Sequence, residues 1–299
     1  MKKLIIPVVF VLLLSFFFIK GNDFTIQSQE INAESVDLFR PLSKDKINEL
    51  NLDSNNFLSV FIKDKKEILL SEKKINESIA IASLTKLMTA VIVLENYDLD
   101  ELISISASSV ATYGTAGNLQ IGEIMTIKDL LYITLIESSN DGAEAFAEKI
   151  GRSTFIYKMN QKASELNMKN TRFVNPSGLD EGSLYNVSTA GDLKKMVVYI
   201  LENHDLITEI LSLSEKELTS YSGVNRKIRN TNVLLKESDV YLWGKTGYTY
   251  RANGCLILIL NNFSINNSDG YVVNIIAGAD DRFNEARKLE QWLEQSFIW

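Results

Sequence analysis

Ser83-Leu84-Thr85-Lys86-Leu87-Met88-Thr89-Ala90-Val91-Ile92-Val93-Leu94-Glu95 contains neither Gly nor Pro and places apolar residues nearly all round a helical wheel. This pattern predicts a helix buried on every side, a rigid mount whose first turn begins at Ser83. Free backbone N–H groups collect at such an end, and residues three apart share a face, so Ser83 and Lys86 would stand together there. The bland reading makes Ser83 an N-cap. The chemical reading makes the pair a nucleophile and its base. That second reading needs a neutral amine, and an ordinary lysine with a pKa of about 10.4 is unprotonated only about once in 2,500 at pH 7. Burial and a second cation nearby would have to do the lowering. A drop of about three units corresponds to about 4 kcal/mol, within what burial achieves for lysine.

Working outward from this helix, Phe57–Ile62 and Ile68–Leu70 are short apolar runs flanking the charged stretch Lys63–Glu67, which predicts an antiparallel hairpin. From Thr126 to about Tyr199 the periodicity is helical, notably over Leu130–Ile136, Asp141–Ile150 and Ala190–Leu201, and predicts a helical subdomain. After Tyr241 the pattern turns to strands. Leu256–Leu260 and Val272–Ala277 are β-rich runs joined through the polar turn Asn266–Gly270, and a last helix covers Asn284–Gln295. Strands at both ends with helices between them predict an α+β fold: one mainly antiparallel sheet built from both ends of the chain, flanked by helices, with a helical lobe beside it.

Composition limits the chemistry. A chain of 299 residues that is 45% hydrophobic can bury a full core in one large domain or two smaller ones, and it shows no internal repeat. With 31 basic against 38 acidic residues, the net charge of -7 gives no reason to expect nucleic acid as a partner. Cys255 is the one cysteine and His204 the one histidine, so neither a disulfide framework nor a Cys/His zinc cluster can be assembled, and no metal or cofactor is expected. Catalysis must then use hydroxyls, amines, carboxylates or guanidinium groups. His204 lies where a helical pattern runs out and reads as a solvated helix-end residue. A Gly-x-Ser-x-Gly elbow that would pair it with a serine is absent.

Lys2 and Lys3 precede Leu4–Ile19, a run broken only by Pro7 and Ser15, which has the charged start and apolar stretch of an export signal. The run is longer than the usual signal core and shorter than a comfortable membrane span. No small-x-small cleavage site stands in Phe16–Gly21, which favours an uncleaved anchor with Lys2 and Lys3 held inside. We therefore divide the chain into residues 1–20, a signal or N-terminal membrane anchor, 21–50, a polar tether, and 51–299, the catalytic domain. The protein is expected outside the cytoplasm, membrane-tethered or secreted.

Three short constellations carry the candidate chemistry. Ser-x-x-Lys occurs at Ser43/Lys46, Ser71/Lys74 and Ser83/Lys86, but only the last opens an apolar helix. Ser138-Ser139-Asn140 ends the apolar run Leu130–Ile136; alone, Ser-x-Asn is more often a cap or turn, and it recurs at Ser54/Asn56 and Ser264/Asn266. Lys245-Thr246-Gly247 occurs once, just before the strand-rich tail. A lysine, a hydroxyl and a position without a side chain could lie there along a sheet edge, with Gly247 admitting a ligand to the backbone or marking a bulge.

In this order, each at an element boundary, the three resemble the motifs of the serine penicillin-recognising enzymes. The resemblance is closer to one branch, the low-molecular-mass serine-type D-alanyl-D-alanine carboxypeptidases, and covers roughly residues 45 to 296. Ser83–Thr89 looks like that family's first motif, Ser138–Asp141 like its second and Lys245–Thr249 like its third. Asn170–Leu179 also resembles a stretch typical of the branch. One departure stands out: the family usually has Gly where this chain has Ser139, which would narrow the cleft.

The resemblance implies a β-lactamase/transpeptidase-like fold. It also implies a serine DD-carboxypeptidase that removes the terminal D-Ala from peptidoglycan stem peptides, with β-lactams as covalent inhibitors. Ser83 would attack the carbonyl between two D-alanines, Lys86 would take its proton, and the backbone N–H groups of Ser83 and Tyr248 would form the oxyanion hole. Ser138 would relay a proton to the leaving amine, and Asn140 would hold the peptide and Lys86. Lys245 and Thr246 would meet the terminal carboxylate, with help from Arg229, whose bland alternative is a surface ion pair. The chain ends at Trp299, soon after its last helix, without the β-rich domain and amphipathic tail of many relatives, which favours the N-terminal run as the tether. Two rivals remain: a class A β-lactamase, which needs a glutamate-bearing loop where Asp180-Glu181 stands, and a non-catalytic peptidoglycan-binding protein.

Overall fold

In the computed structural model, residues 42–43, 49–111, 117–265 and 268–299 are described. The apolar run Leu4–Ile19 and nearly all of the polar stretch after it lie outside these residues. Among the described residues, no helix is long and apolar enough to cross a membrane.

The expected hairpin forms from Asn56–Lys63 (β1) and Lys66–Lys73 (β2). Its turn is tighter than the charged stretch suggested: only Asp64 and Lys65 lie outside the strands, with φ of 48° and 64°, the left-handed pair that a two-residue hairpin requires. Tyr241–Thr249 (β3), Asn253–Ile265 (β4) and Ser268–Ala279 (β5) complete one five-stranded antiparallel sheet in the order β3-β4-β5-β1-β2. The two ends of the chain meet where β5 pairs with β1, Ile275 opposite Leu58 and Val273 opposite Val60. Ser268–Gly270, expected in a turn, already belong to β5.

The sheet is covered on both faces, which is why β4 reads as an unbroken apolar run rather than an alternating one. Successive side chains point to opposite faces. Cys255, Ile257 and Ile259 join one core, and Leu256, Leu258 and Leu260 join the other. The second core is closed by the last helix, Arg282–Ser296, whose Ala286, Leu289 and Leu293 fall at helical spacing and are buried. Each of the two leucines contributes about 1.5–3 kcal/mol, so Leu289→Ala would open a cavity at the seam between helix and sheet.

The first core holds the helices. Thr85–Asn96 (α1) is buried from Thr85 through Val93, as its apolar circumference requires. Around it pack Ile127–Ile136 (α2), Asn140–Ile150 (α3) and Arg152–Glu165 (α4). Ala190–Asn203 (α5) lies against β5 and β1 and so covers the sheet; the helical lobe is narrower than the sequence suggested. Asp205–Ser212 (α6) follows and meets β3, and Arg282–Ser296 is α7. His204 caps the junction of α5 and α6. It is not solvated: its side chain is only 11% exposed, 3.4 Å from a Glu95 oxygen and edge-on to the Tyr199 ring. Burial lowers its pKa.

A hairpin of Glu215–Thr219 and Asn225–Arg229 was not foreseen. It delivers Thr231, whose N–H bonds the carbonyl of Ile136 at the end of α2, to the edge strand β3.

Candidate active site

A single 3-10 turn, Ala82–Leu84, carries Ser83 into α1. Ser83 is not a cap: the N-cap of α1 is Leu84, and no side chain caps either segment. The Ser83 hydroxyl instead accepts a hydrogen bond from Lys86 Nζ at 2.9 Å. The turn is strained, since the buried Ala82 has φ of 45°, a region that favours glycine. It is held by two flanking backbones. Gly178, with φ of 89°, lies so close that a Cβ there would sit 2.0 Å from the carbonyl oxygen of Ala82, and a Cβ on Gly247 would sit 3.0 Å from the nitrogen of Ser83. The sequence assigned Gly247 to a ligand or a bulge. The group that needs its missing side chain is the turn bearing Ser83.

Lys86 is completely buried and donates three hydrogen bonds: to Ser83 Oγ, to Asn140 Oδ1 at 2.7 Å and to the carbonyl of Ser177 at 2.6 Å. Three acceptors match an ammonium group; a neutral amine would donate to two and turn its lone pair on the third, which is then free to donate. Burial, and next the charge of Lys245, push the Lys86 pKa well below the usual lysine range, while Glu144 and Asp141 pull the other way. A neutral, lone-pair-bearing Lys86 beside a hydroxyl is the arrangement that the chemical reading of this pair demands.

The stretch Asn170–Leu179 supplies the floor. Thr89 Oγ1 donates to the carbonyl of Pro176 at 2.6 Å, and Asn175 Oδ1 accepts from the N–H of Gly178 at 2.7 Å. Asn186, absent from the sequence reading, ties this floor to α1: its Nδ2 donates to Thr85 Oγ1 at 2.8 Å and to the carbonyl of Asn175 at 2.9 Å. A buried asparagine within a short loop has no periodic signal that would have singled it out.

The second motif divides its work between two serines. Ser139 is fully buried and caps α3, accepting from the N–H of Gly142 at 3.2 Å, with its hydroxyl on the side of Gly117. It therefore does not narrow the cleft, contrary to the expectation drawn from a Gly at this position. Ser138, with φ of 62°, stands clear of the helix and accepts from Lys245 Nζ at 2.8 Å. Asn140 begins α3. Asp141 is buried beside it, with one carboxylate oxygen unpartnered among the described residues, and burial raises its pKa to about 6.

The third motif lies on β3, the edge strand of the sheet. Lys245 is buried, and burial followed by the charge of Arg282 brings its pKa down to about 7. Thr246 Oγ1 lies 2.6 Å from Thr231 Oγ1. Tyr248 is 61% exposed at the mouth of the cleft. Arg229 is exposed, two residues before Thr231. Among the described residues no carboxylate lies within ion-pair distance of its guanidinium, although Glu215 stands opposite it in the hairpin, with a pKa lowered first by the hydrogen bond from Lys227 and in smaller part by the Arg229 charge. Thr231 and Arg282 are additions that the sequence reading lacked. Ser83, Lys86, Ser138, Asn140, Lys245 and Thr246 thus converge, with Gly247 in backbone contact and Arg229 beside them.

A serine paired with a buried lysine at a helix start, a Ser-x-Asn loop and a Lys-Thr-Gly edge strand on this sheet define a penicillin-binding serine peptidase. The comparisons give the particular family: residues 21–267 match the D-alanyl-D-alanine carboxypeptidases, and the chain belongs to that family. It is an enzyme of the serine DD-carboxypeptidase class. A D-alanyl-D-alanine endopeptidase of Pseudomonas aeruginosa is 36% identical over 224 residues, 72% of this chain and 70% of that one. The D-alanyl-D-alanine carboxypeptidase DacF of Bacillus subtilis is 36% identical over 195 residues, 63% of this chain and 49% of the other. The fold matches penicillin-binding protein D2 of Listeria monocytogenes in its ampicillin-bound form with a TM-score of 0.70 at 28% identity, over 82% of this chain and 99% of that one.

Proposed function

We propose that this chain removes the terminal D-Ala from peptidoglycan stem peptides through an acyl-enzyme on Ser83. The observation that supports it most is the fully buried Lys86, its Nζ 2.9 Å from Ser83 Oγ and its pKa lowered by burial and by Lys245.

In this mechanism neutral Lys86 takes the Ser83 proton as Oγ attacks the penultimate D-Ala carbonyl, a role that contributes about 10²–10⁴ in rate. The N–H groups of Ser83 and Tyr248 receive the oxyanion, each such donor adding about 10²–10³. Ser138, bonded to Lys245, relays a proton to the leaving amine, and the C–N bond breaks. Asn140 fixes Lys86 and the peptide. Lys245 and Thr246 receive the terminal carboxylate, with help from Arg229. Water then releases the acyl group from Ser83. A β-lactam ring presents the same carbonyl, so penicillins would acylate Ser83 and leave it slowly.

A class A β-lactamase would need a glutamate poised over Ser83. Glu181, the candidate, is held by Arg152 at 2.5 Å and is 40% exposed, which disfavours that reading. The name of the Pseudomonas aeruginosa relative favours cleavage of crosslinks as a second activity. We also propose that residues 1–20 direct or anchor the chain outside the cytoplasm, that 21–50 tether it and that 51–299 form the catalytic domain.

Digestion of purified uncrosslinked and crosslinked stem peptides by wild type and Ser83→Ala tests the proposal. D-Ala release from the uncrosslinked peptide by wild type alone is the expected result. Cleavage confined to the crosslinked peptide would move the assignment to an endopeptidase, and activity retained by Ser83→Ala would remove the acyl-enzyme.

A further inference from the structure

The proposed mechanism also fixes the direction of the substrate. With the leaving residue's carboxylate at Lys245 and Thr246 and the oxyanion at the N–H of Tyr248, the peptide runs antiparallel to β3. Its acyl part continues past Tyr248 toward the turn at residues 250–252. This end of the cleft has chemistry that the reaction does not use. Tyr250 is 99% exposed there, and the guanidinium of exposed Arg251 lies over the Tyr185 ring, 4.2 Å from its centroid. Arg251, Tyr185, Asn55, Asn56, Ser78 and Ala80 line an open cleft of about 350 Å3.

The cleft is tied closely to Ser83. Ala80 lies just before the 3-10 turn, and Tyr185 precedes Asn186, which braces Thr85 in the first turn of α1. Arg251 is available to an anion: its guanidinium is restrained over the Tyr185 ring and the residue is exposed. Arg152, Arg226 and Arg287 each engage a glutamate, whereas among the described residues no carboxylate lies within ion-pair distance of Arg251, nor of Arg172, Arg229 or Arg282.

We propose that this cleft is a subsite for the side chain of the residue preceding the penultimate D-Ala, and that it selects acyl donors whose side chain there ends in a carboxylate, gripped by Arg251. The reach is consistent. Three residues separate Tyr248 from Arg251, which follows the end of β3 in the turn, so at most about 10 Å of chain lies between them, within reach of one further residue of extended peptide plus a side chain of several methylenes. A diamino diacid side chain can bridge this distance. The inference rests on the acylating mechanism above.

The test uses three stem pentapeptides that differ only at that residue: diaminopimelate with its free carboxylate, the same residue amidated, and lysine. For wild type, kcat/KM is expected to be about ten- to a hundredfold higher for the free carboxylate, the size of a charge-assisted hydrogen bond. Arg251→Gln should bring the three within about twofold, and Arg251→Lys should restore part of the preference. Benzylpenicillin should acylate wild type and Arg251→Gln at the same rate. Equal turnover of the three peptides by an acylatable wild type, or a preference that survives in Arg251→Gln, overturns the subsite. A wild type that benzylpenicillin does not acylate overturns the mechanism beneath it, and the subsite with it.

Discussion

The missing Cβ of Gly247 faces the backbone nitrogen of Ser83: one placed there would lie 3.0 Å from that nitrogen and 3.2 Å from the carbonyl oxygen of Ile81. The edge strand and the nucleophile's turn therefore touch backbone to backbone, and this contact sets the separation of the two proposed oxyanion donors. Gly247→Ala should push strand and turn apart by a few tenths of an ångström. A displacement of that kind is expected to slow acylation by benzylpenicillin about tenfold to a hundredfold, with a fold still cooperative by thermal melting. An unchanged acylation rate would show that the spacing is not set here.

The two buried lysines predict a bell-shaped pH profile. Lys86 must be neutral, so kcat/KM for D-Ala release should rise with pH as it loses its proton. Lys245 must stay charged to hold a carboxylate, so the rate should fall again above about 7, where it titrates. Lys245→Arg keeps the charge at any pH and should carry the falling limb upward. A falling limb that stays in place in Lys245→Arg would assign it to another group.

The same shift has a sign for stability. The unfolded chain binds a proton at position 245 up to about pH 10.4, while the folded one releases it near 7, so between these values Lys245 makes stability rise with pH. Lys245→Met should therefore gain more in Tm over wild type at pH 7 than at pH 9. An equal gain at both pH values would place the folded pKa elsewhere.

Ser139 caps α3 and stays out of the cleft, so Ser139→Ala should lower stability by about 1 kcal/mol without altering the acylation rate. A changed rate with unchanged stability would return Ser139 to the cleft.

Gly178→Ala brings a side chain to within 2.0 Å of a carbonyl oxygen at a residue with φ of 89°. It should displace the floor that supplies the Ser177 carbonyl to Lys86 and destabilise the protein by about 3 kcal/mol or more, read as a lower Tm.

What the sequence made legible was what has a period or a motif. The buried α1, the Phe57–Leu70 hairpin, the apolar strands near the C-terminus and the last helix follow from patterns that burial imposes. The Glu215–Arg229 hairpin was not legible because it stands apart from the main sheet with much of both strands exposed. Glu-Lys-Glu-Leu-Thr and Asn-Arg-Lys-Ile-Arg therefore carry no apolar run. The residues of the three motifs could be named in advance, but the contacts that hold them could not. Gly178 against Ala82, Gly247 against Ser83 and Asn186 against Thr85 join positions far apart in the chain, and their geometry exists only once the fold has closed.

Intact mass of the protein after exposure to benzylpenicillin tests the central claim most directly. A single covalent adduct, mapped to Ser83 in wild type, missing in Ser83→Ala and slowed at least about a hundredfold in Lys86→Met, is the predicted result. An adduct that forms as fast without the Lys86 amine, or no adduct on Ser83 at all, would contradict it.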